Sequence, residues 1–452
     1  MTKAWRYGTA AALAIGLSLA PQAGAQDDDD AGGPLVRLLE NTLSNDSRTI
    51  RVVGLEGALS GQATIEEIIV SDDDGPWLTL RGAVLDWNRL ALVRGRFSVN
   101  ELSADQIEIA RRPTPVATVE ADLPSPEAEP FALPDLPVAI EIGQISVGEL
   151  ALGEPVIGTA ARLGVNGRLA LADGTLDTLL SVARLDRAGD AMTLQAGFAN
   201  DTRQIDLDVT LTEAAGGLLA TAAQIPDAPA LAFTARGNGP VEDFAADIGL
   251  ATNGIRRFGG TVALKGQQPA DDSSDADAQA IGFSAMLGGD LRPLMNVEFH
   301  PFFGTDTSLD VTGSRQPDGA LAIDRFVVAS QGLALTGELA IGASGVPERA
   351  MLMGRLEARD GVDRLVLPVS GAATTIRSAV IDGRLDAAQS DDWNLVMTVD
   401  GFANEAATID TLSLRADGLI DMEGDTPSLD GELIASLRGL TLTDETVSAA
   451  VG

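Results

Sequence analysis

Between Ile50 and Pro113, apolar and polar residues alternate in short pieces, and each piece breaks at a Gly or an Asp cluster. Period-two alternation punctuated in this way predicts half-buried strands joined by tight turns. Asp72-Asp73-Asp74-Gly75-Pro76 predicts a turn, because Gly supplies positive φ and Pro fixes its own φ. Trp77 to Trp87 reads as a pair of strands around Gly82. Leu90 to Val93 is a short apolar run, Gly95 turns the chain, and Phe97 and Val99 open the next strand. Ile107 and Ile109 face one way, Gln106 and Glu108 the other.

The rhythm resumes after a proline-rich stretch, 113–137, where ladder hydrogen bonds are hard to sustain. Val138, Ile140 and Ile142 alternate, then Ile145 and Val147, then Leu150 and Leu152. The cleanest strand is Ile205, Leu207, Val209 and Leu211, interleaved with Asp206, Asp208, Thr210 and Thr212. One oily and one polar side is the pattern of a strand with one wet face. Leu218, Leu219, Ala222 and Ala223 break the alternation and predict a short helix. Later strand pieces include Leu231-x-Phe233, Val262-x-Leu264, Leu309-x-Val311, Leu333-x-Leu335, Leu339-x-Ile341, Leu395-x-Met397 and Leu412-x-Leu414. Pairing about 25 to 30 such strands in series, at ~4.8 Å each, predicts an array on the order of 120 to 145 Å long. Such a sheet curls and must cover its oily face with a second sheet, with helices or with a ligand. The alternation alone equally allows consecutive β-sandwiches.

Composition narrows the choice. Hydrophobic residues make up 45% of the chain, too many for general disorder, and aromatics only 4%, so any core is aliphatic. The formal charge of −35 repels phosphate backbones and argues against nucleic acid as a partner. It also repels anionic headgroups, so any lipid contact should use apolar surface instead of a basic patch. There is no Cys, which removes disulfides and thiolate sites, and the one imidazole, His300, sits in an aromatic cluster where packing is the expected role. No catalytic, metal or cofactor site is expected.

Two pseudo-motifs fail on inspection. Gly237-Asn238-Gly239-Pro240 lacks the third glycine of a phosphate loop, and Pro240 removes an amide, so it predicts a turn. Asp271, Ser273, Asp275 and Asp277 imitate the spacing of a calcium loop, but Ala276 and Gly282 replace its sharp-turn Gly and bidentate Glu. At the N-terminus, Lys3 and Arg6 precede an uncharged apolar run and the small residues Ala23-Gly24-Ala25, so residues 1–25 read as a signal peptide or an N-terminal membrane anchor. Leu35, Leu38, Leu39 and Leu43 share one face of a short predicted helix that would cap the open end of the sheet.

The segment Asp74-Gly75-x-Trp77-Leu78-Thr79-Leu80, followed by Leu85-Asp86-Trp87, Ala91-Leu92-x-x-Gly95-Arg96 and the Ile107-x-Ile109 strand, resembles the N-terminal region of the TamB family. These are translocation and assembly module subunits within the AsmA-like, bridge-type lipid-transfer superfamily. The motif positions carried over are Gly75, Trp77, Leu85, Asp86, Trp87 and Gly95. The resemblance implies a mainly β fold: an elongated, curled antiparallel sheet forming a taco-like groove. It implies phospholipid acyl chains as cargo, moved between inner and outer membrane from a periplasmic position. It also implies a TamA-like outer-membrane barrel partner in the assembly and secretion of outer-membrane proteins, and no enzymatic activity. The expected organisation is a β module at 26–112 with its capping helix, a linker at 113–137, and an extended groove at 138–452. Family members are longer, so a chain truncated at its C-terminus is expected, with the barrel contact mainly in the missing region. Candidate groove-lining residues are Ile205, Leu207, Val209 and Leu211, with Leu333, Leu335, Leu339 and Ile341. The alternative is a structural or adhesive β-repeat protein with a closed core and no lipid.

Overall fold

The computed structural model describes residues 36, 44, 48–57, 60–92, 94–114, 139–267, 280–359, 361–369, 373–387, 390–421 and 428–442. These form one curled sheet of 24 strands that does not close into a barrel. The first four strands are β1 (Thr49–Val53), β2 (Gln62–Asp72), β3 (Gly75–Trp87) and β4 (Arg96–Ile109). Then come β5 (Ala139–Leu152), β6 (Ala161–Ala172), β7 (Thr175–Arg184), β8 (Ala191–Ala199), β9 (Gln204–Glu213) and β10 (Leu231–Pro240). The middle holds β11 (Asp243–Thr252), β12 (Ile255–Gln267), β13 (Ala280–Gly289), β14 (Thr307–Arg315), β15 (Leu321–Ala329), β16 (Leu333–Ile341) and β17 (Pro347–Glu357). A two-residue pair, β18 (Leu365–Val366) and β19 (Thr375–Ile376), precedes β20 (Ser378–Asp386), β21 (Ser390–Ala403), β22 (Ala407–Asp421), β23 (Ser428–Arg438) and β24 (Thr441–Leu442).

Each long strand pairs with the one before it, and β20 pairs with β17 across the β18–β19 insertion. One joint differs: β4 and β5 are parallel, from Arg96↔Ala139 to Ile109↔Leu152. The curled sheet is thus antiparallel as expected, apart from this one parallel joint. A parallel pair needs a long crossover, and the chain between Ile109 and Ala139 supplies it. The stretch read as a linker thus joins two strands that are hydrogen-bonded neighbours, and the sheet runs unbroken past it.

Strands are longer and fewer than the sequence rhythm suggests. Residues 139–152 form one strand, not three, because Gly143 and Gly148 sit at the two irregularities in the β5–β6 register instead of at turns. The Trp77–Trp87 piece is likewise a single strand, with Gly82 (φ +62) at an unpaired position across which the register is kept. Leu333-x-Leu335 and Leu339-x-Ile341 belong to one strand, β16. Gly237 to Pro240 is the end of β10, with the turn falling one residue later. Leu90–Val93, expected only as an apolar run, falls mainly in a helical turn, Arg89–Leu92. The helix expected near Leu218 spans Leu218–Ala222. Of the expected capping helix only Val36 is described, helical and buried; its four leucines, residues 1–25 and Asp271–Asp277 lie outside the described residues.

The Asp72–Gly75 turn ties the sheet to the start of the crossover. Arg111 Nη1 donates to Asp72 Oδ2 at 2.9 Å, Thr114 N donates to the same oxygen at 2.8 Å, and Thr114 Oγ1 donates to Asp74 at 2.7 Å. The Arg111 guanidinium, helped by the Thr114 amide, holds the Asp72 carboxyl well below the usual carboxylate range. A second anchor joins β7 to the following loop. Arg184 donates to Asp186 at 3.1 Å and to Asp190 at 3.1 Å, with the Arg184 and Asp190 side chains both buried. The Arg184 hydrogen bond lowers Asp186 to about 2. A folded-state pKa below the unfolded value stabilises the fold above about pH 4, and that contribution disappears as pH falls through about 2. The urea midpoint should therefore drop between these values, and Asp186→Asn should flatten part of that slope.

Candidate functional site

In a sheet, residues directly opposite on paired strands point to the same face. The register can thus be followed across the molecule. One row starts at Ala63 in β2 and continues through Leu85, Leu102, Ile145, Gly167, Leu180 and Leu194. From Val209 it passes to Ala235, Ile248, Gly260, Leu287, Leu309 and Val328. It then runs through Leu335, Gly354, Ile381, Met397 and Leu414 to Ala435 in β23. Every position is apolar or Gly. Only Ala235 and Gly354 are buried; every larger side chain in the row is half-buried or exposed. Met397 packs against a cluster formed by loops above the face, whereas Leu102 and Ala435 are exposed.

The glycines in the row fit the curl. A Cβ on Gly354 would lie 3.0 Å from Leu335 Cδ1 and inside the contact distance of Ile381, so their side chains close over a position that has none. The opposite face is charged. Arg81 reaches Glu67 (3.1 Å), Gln106 (3.0 Å) and Glu108 (3.2 Å), and Gln106 donates to Glu149 at 3.0 Å. Arg168–Asp177, Arg236–Asp208 and Arg325–Asp310 continue the pattern on later strands. These exposed pairs add little stability each, but they keep one face in water while the other stays oily.

Because the strands alternate in direction, their connections fall on two lips. The lip that carries the β8–β9, β10–β11, β14–β15 and β16–β17 connections is made largely of short turns. The other lip carries the long connections after β9, β13 and β17, and these fold back over the oily face. On this side Glu213, buried at the end of β9, accepts the amides of Leu219 (2.6 Å) and Ala220 (3.1 Å) and holds the Leu218–Ala222 helix in place. Further along, Phe302, Leu365 and Ile376 form a dry cluster with Ala379 and Val399. His300 belongs to this roof: its Nε2 faces the carbonyls of Arg292 (2.9 Å) and Met295 (3.3 Å), so that nitrogen carries the proton and pins the loop.

All eight candidate lining residues are half-buried, and register places them on the same face; Val209 and Leu335 share the row just traced. The second group is split by the roof. Leu333 packs against the dry cluster, whereas Leu339 lines an open cavity of about 700 Å³ with Ala350, Leu352, Leu385, Trp393 and Leu395. Among the motif positions, Gly75 (φ +100) and Gly95 (φ +71) sit at turns, and Leu85 lies in the apolar row. Trp87 is on the same face, against Phe97 with ring centroids 6.0 Å apart. Asp86 opposes Glu101 and, with Trp77, belongs to the other face. The alternation of β20 and β21 held the signal for Leu385 and Trp393. The aromatic cluster around His300 marked Phe302 for packing, but nothing local marked Leu365 or showed that both fold back onto distant strands.

No family model, curated protein or solved structure matches the chain.

Proposed function

We propose that this chain is a cell-envelope groove protein of the TamB type that carries phospholipid acyl chains between membranes. The observation that supports this most is the unbroken apolar row, mostly half-buried, from Ala63 to Ala435 on an open, curled sheet. A closed structural or adhesive repeat would seal such side chains against protein. Acyl chains sliding along the row exchange one CH₂ contact for the next, each worth about 0.8 kcal/mol when buried. Headgroups remain in water at the lips. The driving force is passive: no step needs a reacting side chain. A periplasmic setting, a TamA-like outer-membrane partner and a role in outer-membrane protein assembly belong to the same proposal and rest on the N-terminal motif. Native mass spectrometry of the full chain, purified gently from cells, tests the cargo. Bound phospholipid is expected; a lipid-free protein across repeated preparations would overturn the reading.

A further inference from the structure

We infer that the outer edge of β23 is a self-pairing interface, on which β23 of a second copy of this chain adds antiparallel and continues the sheet. A strand at the rim of a sheet presents alternate N–H and C=O groups to whatever lies beside it, and such rims are ordinarily shortened, bulged or covered. The first rim of this sheet is managed in that way. β1 has only five residues, Val52 in it is buried, and Ser44 Oγ accepts the Ile50 amide at 2.9 Å. The last rim is not. β23 runs for eleven residues, holds no Pro and no Lys, and keeps an unbroken register with β22 from Thr411↔Arg438 to Asp421↔Ser428. Residues 430–440 are all exposed, with Leu433 at 69%, Ile434 at 50% and Leu437 at 52%. The chain does not turn back over this strand at its end. Gly439 (φ +67) redirects it, so that Thr441 and Leu442 pair with Thr408 and Ala407 of β22. Among the described residues, β22 is the one strand that pairs with β23.

The strand's own sequence selects the occupant. A row of backbone donors and acceptors is matched by the backbone of another strand, so the partner is a polypeptide. Along β23, Glu432, Ile434, Ser436 and Arg438 alternate with Leu433, Ala435 and Leu437, the second set on the oily face. Two copies laid antiparallel with Ala435 opposite itself are complementary on both faces. On the wet side Glu432 of each strand meets Arg438 of the other, and on the oily side Leu433 meets Leu437, each contact made twice by symmetry. Opposed residues point the same way, so the apolar row that reaches Ala435 passes straight into the second copy. A parallel pairing of two identical rims would instead set the oily face of one copy beside the wet face of the other. The antiparallel arrangement is therefore the one that keeps the hydrophobic side continuous.

The chain has no cysteine, so Ala435→Cys places a single thiol beside the two-fold axis. Directly opposed residues of an antiparallel pair have Cα atoms about 4.5–5.5 Å apart, within the span of a disulfide. Mild oxidation of the full chain carrying Ala435→Cys should give a covalent dimer many times faster than Val297→Cys, an exposed control (77%) in the β13–β14 connection. Sedimentation velocity of the unaltered chain over a concentration series should show a monomer–dimer equilibrium. Glu432→Arg should weaken it roughly tenfold, because two opposite-charge pairs become two like-charge pairs. Adding Arg438→Glu to that variant should restore it, and matching circular dichroism shows that both variants keep the sheet. A monomer at every concentration, or cross-linking no faster at position 435 than at 297, would overturn the interface. A dimer that the double reversal fails to restore would overturn this register. Slow amide exchange along β23 in a monomer would give the rim to the chain's own remaining residues and sink the second copy. None of these readouts depends on bound lipid, so the groove reading stands or falls separately.

Discussion

Val209→Glu is expected to stop phospholipid from traversing the groove while leaving the sheet folded. Val209 lies in the middle of the apolar row, between Leu194 and Ala235. A carboxylate there faces hydrocarbon whenever an acyl chain passes. Even on a lenient membrane-insertion scale an acidic group in hydrocarbon costs on the order of 2.5–3.5 kcal/mol. At about 1.4 kcal/mol per factor of ten, lipid occupancy of that stretch should fall roughly a hundredfold. The half-exposed setting lets the empty protein accept the charge, because the glutamate can stay hydrated. Thr212→Glu, on the wet side of the same strand, is the matched control. Lipid transfer between donor and acceptor vesicles, scored beside circular dichroism, separates the two. Undiminished transfer by Val209→Glu would show that cargo does not use this face.

Leu365→Ala should produce the largest stability loss, confined to the roof. Leu365 is 1% exposed and belongs to a strand of only two residues, paired solely through Leu365↔Ile376 and Val366↔Thr375. Core leucine-to-alanine changes cost about 2–5 kcal/mol, depending on how far the site collapses. Beyond that pair, β19 meets β21 at Thr375↔Ala403 and Leu367 N donates to the Thr374 carbonyl at 2.9 Å, whereas β17, β20 and β21 keep their full ladders. Amide exchange at Leu365 and Ile376 should speed up by orders of magnitude while that of β20 changes little. Uniform acceleration across both would mean that roof and sheet unfold together.

Much of this architecture is legible in the sequence because the strand code is local. Ile205 to Leu211 announce an oily side by alternation alone, and the face they form is the one observed. Three kinds of information are not local. The glycines at 82, 143 and 148 read as turns, yet they lie inside strands, the last two at irregularities of the β5–β6 register; whether Gly ends a strand or bends it depends on the partner strand's register. The direction of β5 is also hidden, since an alternating strand pairs equally well either way up. The roof is the third gap: Phe302 lies in a single helical turn and Leu365 in a two-residue strand, and only tertiary packing shows that they separate Leu333 from Leu339. Sequence could place all eight candidates on one face but could not divide them.

The parallel joint carries a consequence for how the chain acquires its shape. Everywhere else along the main ladder, a newly made strand can dock on its predecessor through a short connection or a local insertion, so assembly can follow the chain as it emerges, zipping in small steps. Between β4 and β5 the order inverts. The start of β5 must travel back to the beginning of β4 before its first hydrogen bond forms, and the entropy of closing that loop precedes any gain from pairing. Two blocks, one on each side, can therefore mature independently and meet last, with the Asp72–Arg111 clasp setting where the intervening chain departs.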